Sequence, residues 1–139
     1  MNQTVILWPV IAQVVLVFVV YVVLGIRRAD AVKSGAVKVG QFKTRTTEPD
    51  VSATAANNVL NQFELPVLFY AGCLALLLIT GVSYLTLTLA WLFVLTRYCH
   101  AWVHLTSNYL RHRSALFFAG AVLVALLWLC LALKLAAVV

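Results

Sequence analysis

Charge is what this sequence has least of. Only 10% of its 139 residues are charged, and the acids number four: Asp30, Glu48, Asp50 and Glu64. A water-soluble domain carries about 25% charged residues, so a soluble globular surface is excluded. No charge at all interrupts Val5 to Ile26, and Arg27–Arg28 come directly after it. A secretory signal peptide has the reverse order, with its basic residues before the apolar core and a small-residue cleavage site behind it. No such site follows here, so this stretch reads as a retained helix. No CxxC pair is present either. The three cysteines, Cys73, Cys99 and Cys130, all fall within apolar runs. Cysteines in such places act as small apolar side chains and say nothing about redox compartment. Internal repeats and low-complexity tracts are also missing. The length admits one domain, 1–139, and leaves no room for a membrane anchor plus a separate globular enzyme.

What is there is hydrophobic. Apolar residues make up 64% of the chain, and the mean hydropathy is +1.01. Beyond the first run come Leu65–Val82, then Tyr84–Val103 broken only by Arg97 and His100, then Ser114–Val139 with the single charge Lys134. A crossing needs about 20 such residues. The expectation is an all-α, integral membrane four-helix bundle, with spans at about 5–26, 53–81, 83–109 and 113–138 and a polar loop over 27–52. Gly81–Tyr84 supplies a tight turn between the second and third spans, and Asn108–Arg113 joins the third to the fourth. In the long loop, Gly35, Gly40 and the Thr44–Pro49 stretch argue against a fold of its own. Pro49 and Asp50 precede the next helix, with Ser52 or Thr54 as its cap.

Basic residues set the orientation. The long loop holds Arg27, Arg28, Lys33, Lys38, Lys43 and Arg45, and the short connection adds Arg111 and Arg113. The other side has Lys134 alone. Both termini are therefore expected outside and both basic connections in the cytoplasm. The net charge of +6 is a topology signal and a contact with anionic lipid heads. It is not a nucleic-acid footprint, because no reading module accompanies it.

The stretch NNVLNQFELPVLFY, Asn57 to Tyr70, places polar groups where the chain enters the membrane. Asn57, Asn61 and Glu64 are spaced i, i+4, i+7 and share a helical face, with Asn58 and Gln62 to its side. Pro66 bends the helix near Gln62. Glu64 lies sixteen residues inward of Thr80, about 24 Å at 1.5 Å per residue. Arg97 lies fifteen residues from Val82, about 22 Å in. The two share a depth where a lone charge costs several kcal/mol. A buried Glu64–Arg97 ion pair is expected, within one subunit or between two, fastening helices or meeting a ligand. Arg97, His100 and His104, continued by Asn108 or Arg111, form a second polar stripe. His100 and His104 have metal-gripping spacing, but no third ligand is evident, and hydrogen-bonded bundle histidines are the reading adopted. Together these residues and Arg113 define a polar cavity in the cytoplasmic half. Four helices alone scarcely enclose such a cavity, so an oligomer with sites between subunits is expected.

The pattern N-x-x-E-x-P-x-x-F, here Asn61 to Phe69, resembles the second-helix signature of the MAPEG family, the membrane-associated proteins in eicosanoid and glutathione metabolism. The runs RYCHAWVH and RSALFFAG resemble its third and fourth helices, and the likeness covers essentially the whole chain. It implies a bacterial-type member in the inner membrane, built as a homotrimer. Glutathione would sit in the cytoplasmic half between subunits. Asn61, Glu64 and Arg97 match family positions that bind it. Arg113 matches the arginine that stabilises its thiolate for attack on a lipophilic electrophile, since a nearby cation favours the charged sulfur. Two departures stand out. Asn57 and Leu60 occupy places where family members carry arginines, and His104 stands where a tyrosine is common. The site set is thus Arg113 as catalytic residue, with Asn57, Asn61, Glu64, Arg97, His100 and His104 binding glutathione and no metal. The activity implied is glutathione S-transferase-like or peroxidase-like. Its alternatives are a non-enzymatic scaffold or lipid-binding protein of the same fold, and a small multidrug exporter. The exporter is disfavoured because such proteins carry their membrane carboxylate in the first helix.

Overall fold

The computed structural model describes residues 1–43 and 48–137. Most of the loop's Thr44–Pro49 stretch, with Arg45, lies outside them, as does the last residue of the fourth expected span. A short 3-10 turn, Gln3–Ile6, opens the chain, with Asn2 accepting the Thr4 amide at 3.0 Å. Helix α1 follows over Leu7–Lys33. It runs well past Ile26, through Arg27, Arg28 and Asp30. Charge ends an apolar span without ending a helix, and nothing before Ser34 and Gly35, at φ +74°, stops the backbone.

The second expected span consists of two helices, α2 (Asp50–Asn61) and α3 (Leu65–Leu78). The break occupies Gln62–Glu64. Pro66 sits at the start of α3, where its missing N–H has no intrahelical partner to lose. Pro49 caps α2 through its extended backbone, φ −64°, ψ 146°, without any side-chain cap. The expected caps are otherwise engaged: the Ser52 hydroxyl donates to Glu48, and the Thr54 hydroxyl accepts from Arg27.

Helix α3 ends on Thr80 at φ +53°. The Gly81 amide returns to the Leu76 carbonyl at 2.8 Å and the Thr80 amide to Leu77 at 3.2 Å, the reciprocal pairing of a Schellman C-cap. Helix α4, Tyr84–Leu105, starts with a capping box between Ser83 and Thr86. Helix α5, Leu110–Ala136, begins three residues earlier than expected. Arg111 and Arg113 therefore belong to its first turn rather than to the connection.

Among the described residues, three stretches are long and apolar enough to cross a membrane: Gln3–Lys33, Asp50–Leu78 and Leu110–Ala136. Helix α4 has 22 residues, about 33 Å, but Arg97, His100 and His104 dilute its hydropathy. The protein is an integral membrane, all-α bundle of four rods, with α2 and α3 end to end in one of them.

Two apolar clusters build the interior. One joins Ile6, Phe69, Cys73, Leu76, Phe93 and Leu127 toward the terminal end. The other joins Leu16, Val20, Leu24, Ala55, Val59 and Ala101 toward the loop end. Close approach of α3 and α5 depends on Gly72, where a Cβ would meet Leu127 at 3.2 Å and Trp128 at 3.3 Å. The Trp128 indole donates to the Leu68 carbonyl at 3.0 Å beside it. Of the cysteines, Cys73 is buried, whereas Cys99 is exposed and Cys130 is partly so. The apolar-filler reading therefore fits Cys73 best.

Candidate functional site

Between the two clusters lies a layer of buried polar side chains. Gln13, Asn58, Gln62, Arg97, His100 and His104 are each at most 2% exposed. Part of this layer is an amide ladder across three helices. Gln13 Nε2 donates to Gln62 Oε1 at 3.0 Å, Gln62 Nε2 to Asn58 Oδ1 at 2.8 Å, and Asn58 Nδ2 to the Ala101 carbonyl at 3.2 Å. It locks the helix break to α1 and α4. Arg27 closes the next level, donating to the Thr54 hydroxyl and to the Leu105 carbonyl at the end of α4, where a cation also suits the helix dipole.

The rest of the layer surrounds Asn61. Arg97 Nη2 donates to the Asn61 carbonyl at 2.9 Å, and the Arg97 guanidinium lies 5.9 Å from the Phe117 ring. Asn61 Nδ2 reaches both His100 Nε2 and His104 Nδ1 at 3.4 Å. His100 Nδ1 is 3.0 Å from the Arg113 carbonyl. A carbonyl only accepts, so this contact fixes the proton on Nδ1 and leaves Nε2 as the acceptor for Asn61. Both histidines are hydrogen-bonded bundle residues, and no cluster of three metal-ligating groups exists among the described residues.

A cavity of about 320 Å³ opens beside this layer, lined by Asn61, Glu64, His100, Arg113, Ser114, Phe117 and Phe118. Glu64 is exposed and sits at the break with φ −95°, ψ −101°. The break places Glu64 in one cavity with Arg113, Ser114, Phe117 and Phe118 of α5. Arg113 lines the same space, and its Nη1 donates to Asn108 Oδ1 at 2.8 Å. Phe117 and Phe118 provide an apolar wall.

Two expectations are corrected here. The Glu64–Arg97 ion pair is not formed within the subunit. The one ion pair among the described residues joins Arg28 to Glu48. Arg97 is wholly buried beneath Asn61 and Phe117, and its Nε and Nη1 have no protein partner. It forms the floor under the cavity and does not line it. Nor do Asn57, Asn61 and Glu64 share one face. The break interrupts the helical spacing after Asn61, and Asn57 lines a different cavity with Leu60, Tyr21, Arg28 and Glu48. There Arg28 stacks on Phe42 at 5.1 Å. Hydrogen bonding from Arg28 holds the Glu48 carboxyl below the usual range, helped by Ser52. His104 lies behind Asn61 and does not line the Arg113 cavity.

The sequence reading missed Gln13 and Gln62 as a linked pair, because they are 49 residues apart. It missed Asn108 as the Arg113 partner, although an Asn next to a helix start is the available signal. It also missed the aromatic wall, for which the Phe117–Phe118 doublet within RSALFFAG is the available signal.

These features define a class: an all-α integral membrane bundle with an amphiphilic cavity at a helix break, roofed by the first turns of α5. The chain matches the MAPEG family over residues 5–133, nearly its whole length, and belongs to that family. No curated protein and no solved structure matches it.

Proposed function

We propose that the protein is a glutathione-dependent transferase or peroxidase-like enzyme of the inner membrane that activates the thiol for attack on a lipophilic electrophile. The reading assigns it a homotrimeric assembly, outward termini and a cytoplasmic loop. The observation that carries it is the single cavity in which Arg113, Glu64, Asn61 and His100 meet an aromatic wall.

The donor set fits glutathione in kind. Glu64 suits an ammonium group, Arg113 suits an anion, and Asn61 and His100 supply neutral hydrogen bonds. Glutathione supplies the nucleophilic sulfur. Arg113 stabilises negative charge at the cavity, which favours a thiolate over a thiol. Phe117 and Phe118 exclude water from that charge and strengthen its hold. Arg97 acts from beneath by fixing the Asn61 backbone. The electrophile enters from the lipid along the aromatic side.

A second reading is a lipid-binding scaffold of the same fold without turnover. It is favoured by Asn57 and Leu60, which stand where family arginines would grip carboxylates and which line the other cavity.

Calorimetry of glutathione binding to the detergent-purified protein, with thiolate absorbance followed in parallel, separates the two. The transferase reading expects saturable binding and a thiolate signal. In Arg113→Ala the signal disappears and turnover falls by about 100-fold or more, the size of losing a charge-stabilising donor, while the trimer persists. Absence of binding at millimolar glutathione overturns it.

A further inference from the structure

We infer that Asn108 is a positioning residue that aims the Arg113 guanidinium into the cavity. This rests on the proposed role of Arg113 and adds the device that sets its direction. Asn108 occupies the α4–α5 turn at φ +47°, a left-handed conformation in which Asn is among the few well-tolerated side chains. Its amide closes the end of α4 on the Val103 carbonyl at 2.7 Å.

Its carboxamide does something else. Asn108 stands one residue before Tyr109, the N-cap of α5, so its carboxamide is not committed to capping that helix. The Asn108 oxygen reaches instead to Arg113 Nη1 at 2.8 Å. A guanidinium only donates, so the carboxamide must present its oxygen. The carboxamide thus serves the one cation that lines the cavity rather than a helix end.

Arg113 is held from two sides. The His100 ring fixes its backbone through the carbonyl at 3.0 Å, and Asn108 fixes its Nη1. Among the described residues no other partner of the Arg113 side chain is seen. With Nη1 engaged, Nη2 and Nε remain for an anion. An arginine in the first turn of a helix with no partner samples many rotamers, and immobilising it at binding costs entropy. Asn108 removes that cost in advance.

Asn108→Gly isolates the carboxamide, because glycine adopts the same left-handed backbone without strain. Asn108→Asp retains an acceptor at the same place. Two readouts are taken on the full-length protein in detergent micelles. One is the pH titration of thiolate absorbance with glutathione as the probe. The other is the side-chain nitrogen NMR spectrum of Arg113, assigned by its loss in Arg113→Lys. In Asn108→Gly the titration midpoint moves up by about one pH unit, a tenfold loss of thiolate and the scale of removing an outer-shell partner. The distinct Nη1 signal merges into the freely rotating set, and Asn108→Asp restores it. A merely structural turn residue would change neither. An unchanged titration and an unchanged Nη1 signal in Asn108→Gly overturn the inference. If the wild type forms no thiolate, the transferase reading falls by itself. Asn108 is then judged by the NMR signal alone, and loss of that signal in Asn108→Gly upholds the positioning role.

Discussion

At the residue scale, the buried amides decide how the broken helix is held. Gln62 serves two partners at once, accepting from Gln13 and donating to Asn58. Gln62→Leu strands a donor on Gln13 and an acceptor on Asn58, both in a buried setting. Each unsatisfied group costs about 1–3 kcal/mol. Gln13→Leu is milder, because it leaves only Gln62 Oε1 unpaired and also removes the Gln13 oxygen, which has no partner now. Thermal unfolding in detergent should rank Gln62→Leu well below Gln13→Leu, and both below wild type. Equal melting temperatures for the two would show that the ladder is not a unit. The sequence made these residues visible as polar but not as connected. Gln13 is the one amide side chain within Val5 to Ile26. Its partner sits beyond a loop and at the far end of another helix, and no spacing rule links such positions. The stripe on α4 was readable, because Arg97, His100 and His104 lie on one rigid helix.

At the element scale, the helix ends carry most of what was not readable. Thr80 holds a left-handed turn that glycine usually takes, at φ +53°, and a β-branched side chain there is strained by about 1–3 kcal/mol. Thr80→Gly keeps the Schellman bonds of α3 and should raise stability by about 1 kcal/mol, read as a higher unfolding midpoint. A lower midpoint would mean that the threonine side chain contributes more than its strain costs.

The long loop offers a pH test. Glu48 titrates below the ordinary Glu value of about 4.3 because Arg28 hydrogen-bonds its charged form. A depressed folded value means that the contribution is present above the unfolded value and is lost as pH falls through the folded one. The pair is partly exposed, so its worth is under about 1 kcal/mol. Backbone hydrogen-exchange protection of residues 34–43 should be highest near neutrality and fall as acid protonates Glu48, below the ordinary Glu range, whereas Glu48→Gln should lack that excess at every pH. Helix existence was legible from four apolar runs. The break at Gln62–Glu64 was legible as a bend from Pro66. The displacement of Glu64 toward α5 was not, since it follows from the backbone angles of one residue.

At the scale of the whole molecule, the position of Glu64 is the question. One chain leaves this carboxylate exposed at a depth where lipid would otherwise meet it, and one chain shields Arg97 completely. A neighbouring copy that covers the α2–α3 break would enclose the cavity without reaching Arg97, because Asn61 and Phe117 already stand in the way. The carboxylate is then free for a ligand. Glu64→Gln should leave the unfolding midpoint almost unchanged, within about 0.5 kcal/mol, as a surface substitution does. Breaking a buried ion pair would cost about 3–5 kcal/mol. Under the proposed trimeric, glutathione-binding reading, native mass spectrometry of the same variant still shows trimers, while calorimetry shows weaker glutathione binding. A large loss of stability with dissociated subunits would place the Glu64 partner on a neighbouring chain instead. The carboxylate would then belong to the assembly, and ligand recognition would rest on Arg113, Asn61 and His100 alone.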